Sequence, residues 1–255
     1  MDKAQRAHRQ GSYCVRMDWG PTGAEAIATD CDVAVIVDVL SFTTTLTVAA
    51  DRNVVVYPYR WRDDRATSFA AEHKATLAVG RSHAVAGQVS LSPHSVRTAP
   101  ALERLVLPSP NGSTISFQMA TTASVVIGVS LRNRRAAAHW LLTRRELHPM
   151  LRVAVIAAGE RWPDGSLRPA VEDHWGAGSL IDLLYTAGWA SLSPEAQGAA
   201  AAYRSVADDI STALEACGSG RELIELGYPD DVLTAAQLDS SSAVPLLQGG
   251  GFIRA

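Results

Sequence analysis

Residues 33–37 read Val-Ala-Val-Ile-Val, and this unbroken, β-branched apolar run constrains the fold more than any other feature of the chain. A strand with no polar position has no face to give to water, so it belongs in a sheet covered on both sides. The run stops at Asp38 and passes into Val39-Leu-Ser-Phe-Thr-Thr-Thr-Leu-Thr47, where hydroxyls open a helix-like pattern. That order predicts a buried strand whose carboxyl end presents a carboxylate beside Thr43, Thr44 and Thr45 at a helix N-terminus. A carboxylate can hold a divalent cation. Hydroxyls and the unpaired amides of a first helical turn can hold an anion, so the pair points to phosphate chemistry. A plain strand followed by a threonine cap is the alternative reading of the same residues.

Short β-branched runs alternate with helical patterns along most of the chain. Strands are expected over residues 33–37, 53–57, 76–79, 104–107, 124–129 and 152–157, and helices over 43–50, 64–73, 133–145, 172–187 and 194–207. This alternation predicts an α/β architecture with a largely buried sheet and working residues in loops beyond the strands' carboxyl ends. From about Ser191 the chain is richer in Ala, Ser and Glu, and it reads as helices ending in the apolar segment 243–247. Within it, Gly227 and Pro229 stop a short capped helix. Residues 1–255 are read as one unit, with a split into two halves near Ser109 left open.

With 47% hydrophobic and 19% charged residues over 255 positions, a substantial core is available and general disorder is excluded. The net charge of −3 argues against a nucleic-acid binder with a broad basic face. The local clusters Arg132/Arg134/Arg135 and Arg144/Arg145 read as a solvated helix face. Cys14, Cys31 and Cys217 form no CxxC pair, which argues against structural zinc or a disulfide framework and suits a reducing cytosol. No apolar run reaches signal or membrane-spanning length, so a cytoplasmic protein with no membrane partner is expected.

Three further segments carry chemistry. Leu107-Pro-Ser-Pro-Asn-Gly-Ser-Thr114 follows a strand; its Asn111-Gly112 turn lets a ligand approach the backbone, and Ser113 and Thr114 offer hydroxyls and amides to an oxyanion. Val155-Ile-Ala-Ala-Gly-Glu-Arg161 runs from a strand into a glycine loop, and Glu172 and Asp173 then open an amphipathic helix. Adjacent acids there either complement the helix dipole or suit Mg²⁺, which takes a few carboxylates with water and phosphate oxygens. His174 is an acid, an anion contact or a core histidine. The long polar loop 79–94 carries Arg81, His83, Ser92 and His94, and loops of that length are often functional.

In their order and spacing these segments resemble the 2-phosphosulfolactate phosphatase family, Mg²⁺-dependent hydrolases of coenzyme M biosynthesis. The anchors are Val37-Asp-Val-Leu-Ser-Phe-Thr-Thr-Thr45, Pro110-Asn-Gly-Ser-Thr114, Gly128-Val-Ser-Leu-Arg-Asn133, Ala157-Ala-Gly159, Val171-Glu-Asp173 with Gly176-Ala-Gly178, and the late Gly227-Tyr-Pro-Asp-Asp231. The resemblance implies a three-layer α/β/α fold with a mixed sheet. It also implies Mg²⁺ on Asp38, Glu172 and Asp173 as the catalytic acids. Phosphate would be held by Thr43 to Thr45, Asn111, Gly112, Ser113 and Thr114, with Arg81, Ser92 and Asn133 as further substrate contacts. Arg81, Arg132 or His94 would take a second acidic group. The implied partner is a small phosphorylated acid, with a homo-oligomer as a further expectation.

The chain departs from the family pattern at three places. Ser41-Phe42 stands where the family has Arg-Ala, Gly80-Arg81 where it has Gly-Glu, and Ser90-Leu-Ser-Pro93 where it has Gly-Asn-Ser-Pro. Either the substrate has changed, with Arg81 compensating for the lost arginine, or activity has been lost and a binder of small anions remains. An oligomeric scaffold is a third reading.

Overall fold

The computed structural model describes residues 7–60, 65–85 and 87–255. The run 33–37 forms β2 (Val33–Val37), buried at every position. It lies between β6 (Val125–Val129) and β7 (Val153–Ala157), parallel to both, and β1 (Val15–Trp19) pairs in parallel with β7 at the edge. A second parallel group holds β3 (Val55–Tyr59), β5 (Arg104–Pro108) and the short β4 (Thr76–Leu77). The hairpin of β10 (Pro245–Gln248) and β11 (Gly251–Arg254) joins them, antiparallel to β6 on one side and to β3 on the other. The sheet order is therefore β1-β7-β2-β6-β10-β11-β3-β5-β4.

Helices cover both faces, and the period-two alternation of β2 shows how. Val33, Val35 and Val37 point into a core shared with α6 (Arg134–Leu147), α7 (Val171–Thr186) and α8 (Pro194–Arg204). Ala34 and Ile36 point the other way, toward α1 (Gly20–Ala28), α2 (Phe42–Asp51), α4 (Pro93–Thr98) and α5 (Gly112–Met119). Around β3 and β5 a small cluster with α3 (Arg65–Glu72) covers the outer face. Fully buried residues such as Ile36, Leu46 and Ile115 each contribute roughly 1.5–3 kcal/mol by leaving water. The three-layer arrangement is the one expected. The chain continues through α9 (Ile210–Ala216), α10 (Gly218–Glu225) and α11 (Pro229–Ala235), and a small hairpin of β8 (Glu160–Arg161) and β9 (Leu167–Arg168) follows β7.

Counted along the sheet, β2 and β5 run in opposite senses, which ought to place their carboxyl ends far apart. Five neighbour steps separate them, and a twist of roughly 20–25° per step turns one strand by about 100–125° relative to the other. The ends converge: α5, which follows β5, packs on both β2 and β3.

Several elements differ from their expected places. The strand expected at 53–57 begins two residues later, because Asn53 adopts a positive φ of 56° as a turn residue. The end of the chain is a hairpin and not helix: Gly249 and Gly250, both at positive φ, form its two-residue turn. The polar loop 79–94 contains a 3₁₀ turn at Arg81–His83 and passes into α4 at Pro93. Position 64, expected to open a helix, lies outside the described residues. The solvated face expected for the arginine cluster is overturned at two positions. Arg132 and Arg134 are 4% and 8% exposed and pair with Asp51 and Asp239. Cys14, Cys31 and Cys217 are free thiols, and no helix among the described residues is long and apolar enough to cross a membrane.

Candidate active site

The carboxyl ends of β2, β4, β5 and β7 border a cavity of about 130 Å³, lined by Asp38, Ser41, Phe42, Arg81, Asn111 and Glu160 among others. Asp38 sits at its floor. Its Oδ1 accepts from the Phe42 N–H at 3.0 Å and its Oδ2 from the Gly112 N–H at 3.1 Å, so one carboxylate caps the first residues of both α2 and α5. Asn111, the residue before α5, makes no cap of its own. Gly112 is required here: a Cβ would overlap the Phe42 ring and lie 2.8 Å from Asp38 Oδ2. The partial positive ends of two helices thus meet at the cavity, as anion sites do.

Three more carboxyls lie behind and beside Asp38. Asp173, in the first turn of α7, accepts from the Val39 N–H at 2.7 Å through Oδ1 and from the Gly159 N–H at 2.9 Å through Oδ2, tying together the loops after β2 and β7. Its neighbour Glu172 is buried. Glu160, one residue beyond the positive-φ Gly159, accepts from Asn111 Nδ2 at 2.9 Å. Burial pushes the Asp38 carboxyl up to about 6, against the pull of its two N–H donors, and the charge of Glu172 adds to the rise. Burial and then the charge of Asp38 push Glu160 up to about 7. Asp173 is held well above the usual range by burial, with Asp38 and Glu172 contributing. A pocket that crowds carboxyls in this way favours a bound cation or retained protons.

Whether the residues suit Mg²⁺ turns on the donor set. No three His, Cys, Asp or Glu side chains among the described residues converge as a ready ligand group. Mg²⁺ does not require one, since it commonly takes one or two carboxylates and completes its shell with water and phosphate oxygens. Hard oxygen donors at the cavity, Asp38 and Glu160, fit that pattern.

The cation on the opposite wall is Arg81. Its Nε donates to Asp231 Oδ2 at 2.7 Å, and a terminal nitrogen donates to the Ser41 hydroxyl. Asp231, in the first turn of α11, is 1% exposed and also accepts from the Ser92 hydroxyl. Ser92 additionally caps α4 by accepting from the Ser95 N–H.

A family model described as 2-phosphosulpholactate phosphatase matches residues 22–250. The chain belongs to this family. It is 31% identical over 231 residues to a probable 2-phosphosulfolactate phosphatase of Synechococcus sp. (strain WH7803), covering 88% of this chain and 90% of that one. A protein of the same description from Thermus thermophilus is 29% identical, with 86% and 89% covered. One from Prochlorococcus marinus (strain MIT 9303) is 30% identical, with 89% and 91% covered.

Among the residues that the family resemblance singled out, Asp38, Arg81 and Asn111 line the cavity, and Gly112 touches Asp38. The hydroxyls of Thr43, Thr44 and Thr45 donate instead to the Asp38, Val39 and Ser41 carbonyls and shape the turn that presents Asp38. Ser113 and Thr114 donate to the Leu107 and Pro110 carbonyls. Asn133 is fully buried: its Oδ1 accepts from the Ser130 N–H and its Nδ2 donates to the Gly128 and Ala243 carbonyls. Arg132 is engaged by Asp51, Thr47 and Gln237, and His94 lies near Asp230 at the surface. His174 stacks on Trp19 with centroids 5.3 Å apart. Two functional-site residues were not singled out from sequence, Glu160 and Asp231. Glu160 stood in the strand-to-glycine-loop motif and could have been found there. Asp231 stood in the late anchor 227–231, but its role gave no local signal, because its partner lies 150 residues away.

Proposed function

We propose that this chain hydrolyses the phosphate monoester of a small phosphorylated hydroxy acid, 2-phosphosulfolactate or a related compound, with Mg²⁺ as cofactor. The observation that carries the reading is Asp38, buried between two helix N-termini at the floor of a cavity that also holds Arg81, Asn111 and Glu160. Family membership adds the reaction class. Asp38 and Glu160, the carboxylates at the cavity, would hold the metal, with Glu172 and Asp173 behind them; when bound it would polarise the phosphoryl group and acidify a water.

The chain's own groups supply the remainder. The N-terminal ends of α2 and α5 aim positive potential at the phosphoryl oxygens as charge redistributes. Asn111 is oriented by Glu160, and Arg81 by Asp231, so both donors are fixed before substrate arrives. Water oxygen adds to phosphorus, the ester P–O bond breaks, and the water's proton passes to the leaving oxygen. The products are orthophosphate and the free hydroxy acid.

A binder without turnover is the second reading. Its support is that both Asp38 oxygens and both Asp173 oxygens already accept backbone N–H groups. Phosphate release from a panel of phosphorylated hydroxy acids, measured with Mg²⁺ and with chelator, separates the two. Metal-dependent release is the expected result. Absence of release across the panel, combined with ligand-induced thermal stabilisation, would replace the hydrolase by the binder.

Asp38→Asn is expected to lower release at least about 100-fold, the scale on which a single preorganised polar group counts. The variant should still fold, because Asn keeps an acceptor for the Phe42 N–H. Full activity in Asp38→Asn would remove Asp38 from the mechanism.

A further inference from the structure

The amino ends of β2 and β6, at the end of β2 remote from Asp38, meet the last turn of α6 around a recess of about 600 Å³. Val33 and Val125 line it from the strands, and Leu147, Met150 and Leu151 from the chain that leaves α6 for β7. Leu147 is 73% exposed and Met150 71%, the highest values for large apolar side chains among the described residues. Single apolar side chains on a surface are ordinary. The two most exposed ones, set together beside one apolar hollow, mark a surface that another molecule covers.

The charged groups on the recess identify that molecule. Arg144 lies over the Trp140 ring with 3.7 Å to the centroid, and among the described residues its guanidinium has no hydrogen bond or ion pair. Its neighbour Arg145, by contrast, donates to the Gly188 carbonyl. Asp32 is exposed on the same recess; its Oδ2 accepts from the Arg152 N–H at 2.8 Å, and its Oδ1 accepts from nothing among the described residues. One surface thus offers an unpaired cation, an open carboxylate, two protruding apolar side chains and an apolar hollow. Each feature is the complement of another on the same face, which is the condition for an isologous twofold contact. A uniformly acidic or basic partner would answer only one of the two charges, and a small apolar molecule neither.

We propose that this face binds a second copy of the chain about a twofold axis. Leu147 and Met150 of each copy sit in the recess of the other, and Arg144 pairs with Asp32 of the partner subunit. Binding energy at interfaces concentrates on tryptophan and arginine, and a guanidinium already held on an indole loses little freedom when it pairs. Asp38 follows the carboxyl end of β2, so its cavity stays open in the pair. The proposal therefore stands whether or not that cavity hydrolyses phosphate esters.

Sedimentation equilibrium on the full chain, from about 1 to about 100 μM, is expected to show a dimer. Leu147→Glu should weaken it at least about 100-fold, the scale of a central interface residue. Leu226→Glu, at another exposed apolar position, should leave it unchanged. Arg144→Glu and Asp32→Lys each set like charges opposite one another, so each alone should be monomeric. Their equimolar mixture should dimerise again, because both contacts of the mixed pair then join opposite charges. Leu147→Glu and Arg144→Glu decide the matter even if Asp32→Lys, which removes the acceptor of the Arg152 N–H, does not fold. A wild-type monomer at the highest concentration, or a dimer unmoved by Leu147→Glu and Arg144→Glu, overturns the proposal. A monomer that binds an apolar dye, with the binding lost in Leu147→Glu, also overturns it and makes a small apolar molecule the occupant. Folded single variants that stay monomeric when mixed would reject the twofold pairing of Arg144 with Asp32.

Discussion

Asp38 shows how much one side chain can organise. By accepting from Phe42 and Gly112 it satisfies amides at the starts of two helices that the sheet brings together from distant segments. The cost is a buried charge, seen in the upward shifts of Asp38 to about 6 and Glu160 to about 7. For stability the sign is definite. Glu160 has its ordinary value near 4.5, so the folded state binds its proton more tightly than the unfolded chain does. That contribution is complete below about 4.5 and is lost as pH rises through about 7. In metal-free protein, Glu160→Gln should therefore raise the melting temperature by several degrees at pH 8, corresponding to roughly 2 kcal/mol, and by much less at pH 4.5. Equal shifts at the two pH values would show that Glu160 is not buried as a strained carboxyl.

At the scale of elements, the helices meeting at the cavity are set by close backbone approach. Gly112 opens α5 where only a residue without Cβ clears Phe42 and Asp38. Gly112→Ala is expected to cost about 1–3 kcal/mol by overpacking a rigid junction, and to reduce turnover by moving the Asp38 carboxylate. Denaturant melts together with phosphate release would check both effects; a variant of unchanged stability and rate would mean that the junction yields freely. The short helices α4 and α11 act on the cavity at one remove: Ser92 donates to Asp231, and Asp231 holds Arg81 in the wall. Arg81 comes from another strand's loop, yet its guanidinium reaches the Ser41 hydroxyl after β2.

For the molecule as a whole, the hairpin β10–β11 is the seam between two parallel groups of strands. Phe252 on β11 is 2% exposed, pairs with Val56 of β3, and meets the Phe42 ring edge-on with centroids 6.1 Å apart. It links the seam to the first residue of α2, and so to Asp38. Phe252→Ala should cost about 3–5 kcal/mol, the range for emptying a buried aromatic site. Because the seam positions one wall of the cavity against the other, activity should fall at temperatures well below the melting transition. Calorimetric unfolding combined with rates at low temperature would test this, and unchanged rates at low temperature would separate the seam from the site.

Whatever depends on near neighbours could be read straight from the chain. The apolar run 33–37 is a strand because no other element hides five consecutive apolar residues so economically, and Asp38 follows it because β2 ends there. The glycine and threonine motifs were legible for the same local reason, as turns and helix starts. Long-range packing settled the remainder. The apolar segment 243–247 read as the end of a helical region, yet from Pro245 the chain forms a hairpin because the edges of β6 and β3 both need a partner. The hydroxyls of Thr43 to Thr45 were expected at a phosphate and hold backbone carbonyls instead, since burial obliges every polar group to find a partner. Asn133 and Arg132 were drawn into the core by partners far along the chain. The pairing of Arg81 with Asp231 and the junction of Asp38 with Gly112 exist only because accumulated sheet twist turns two opposed sets of strands toward one cavity, and no local pattern of residues encodes that rotation.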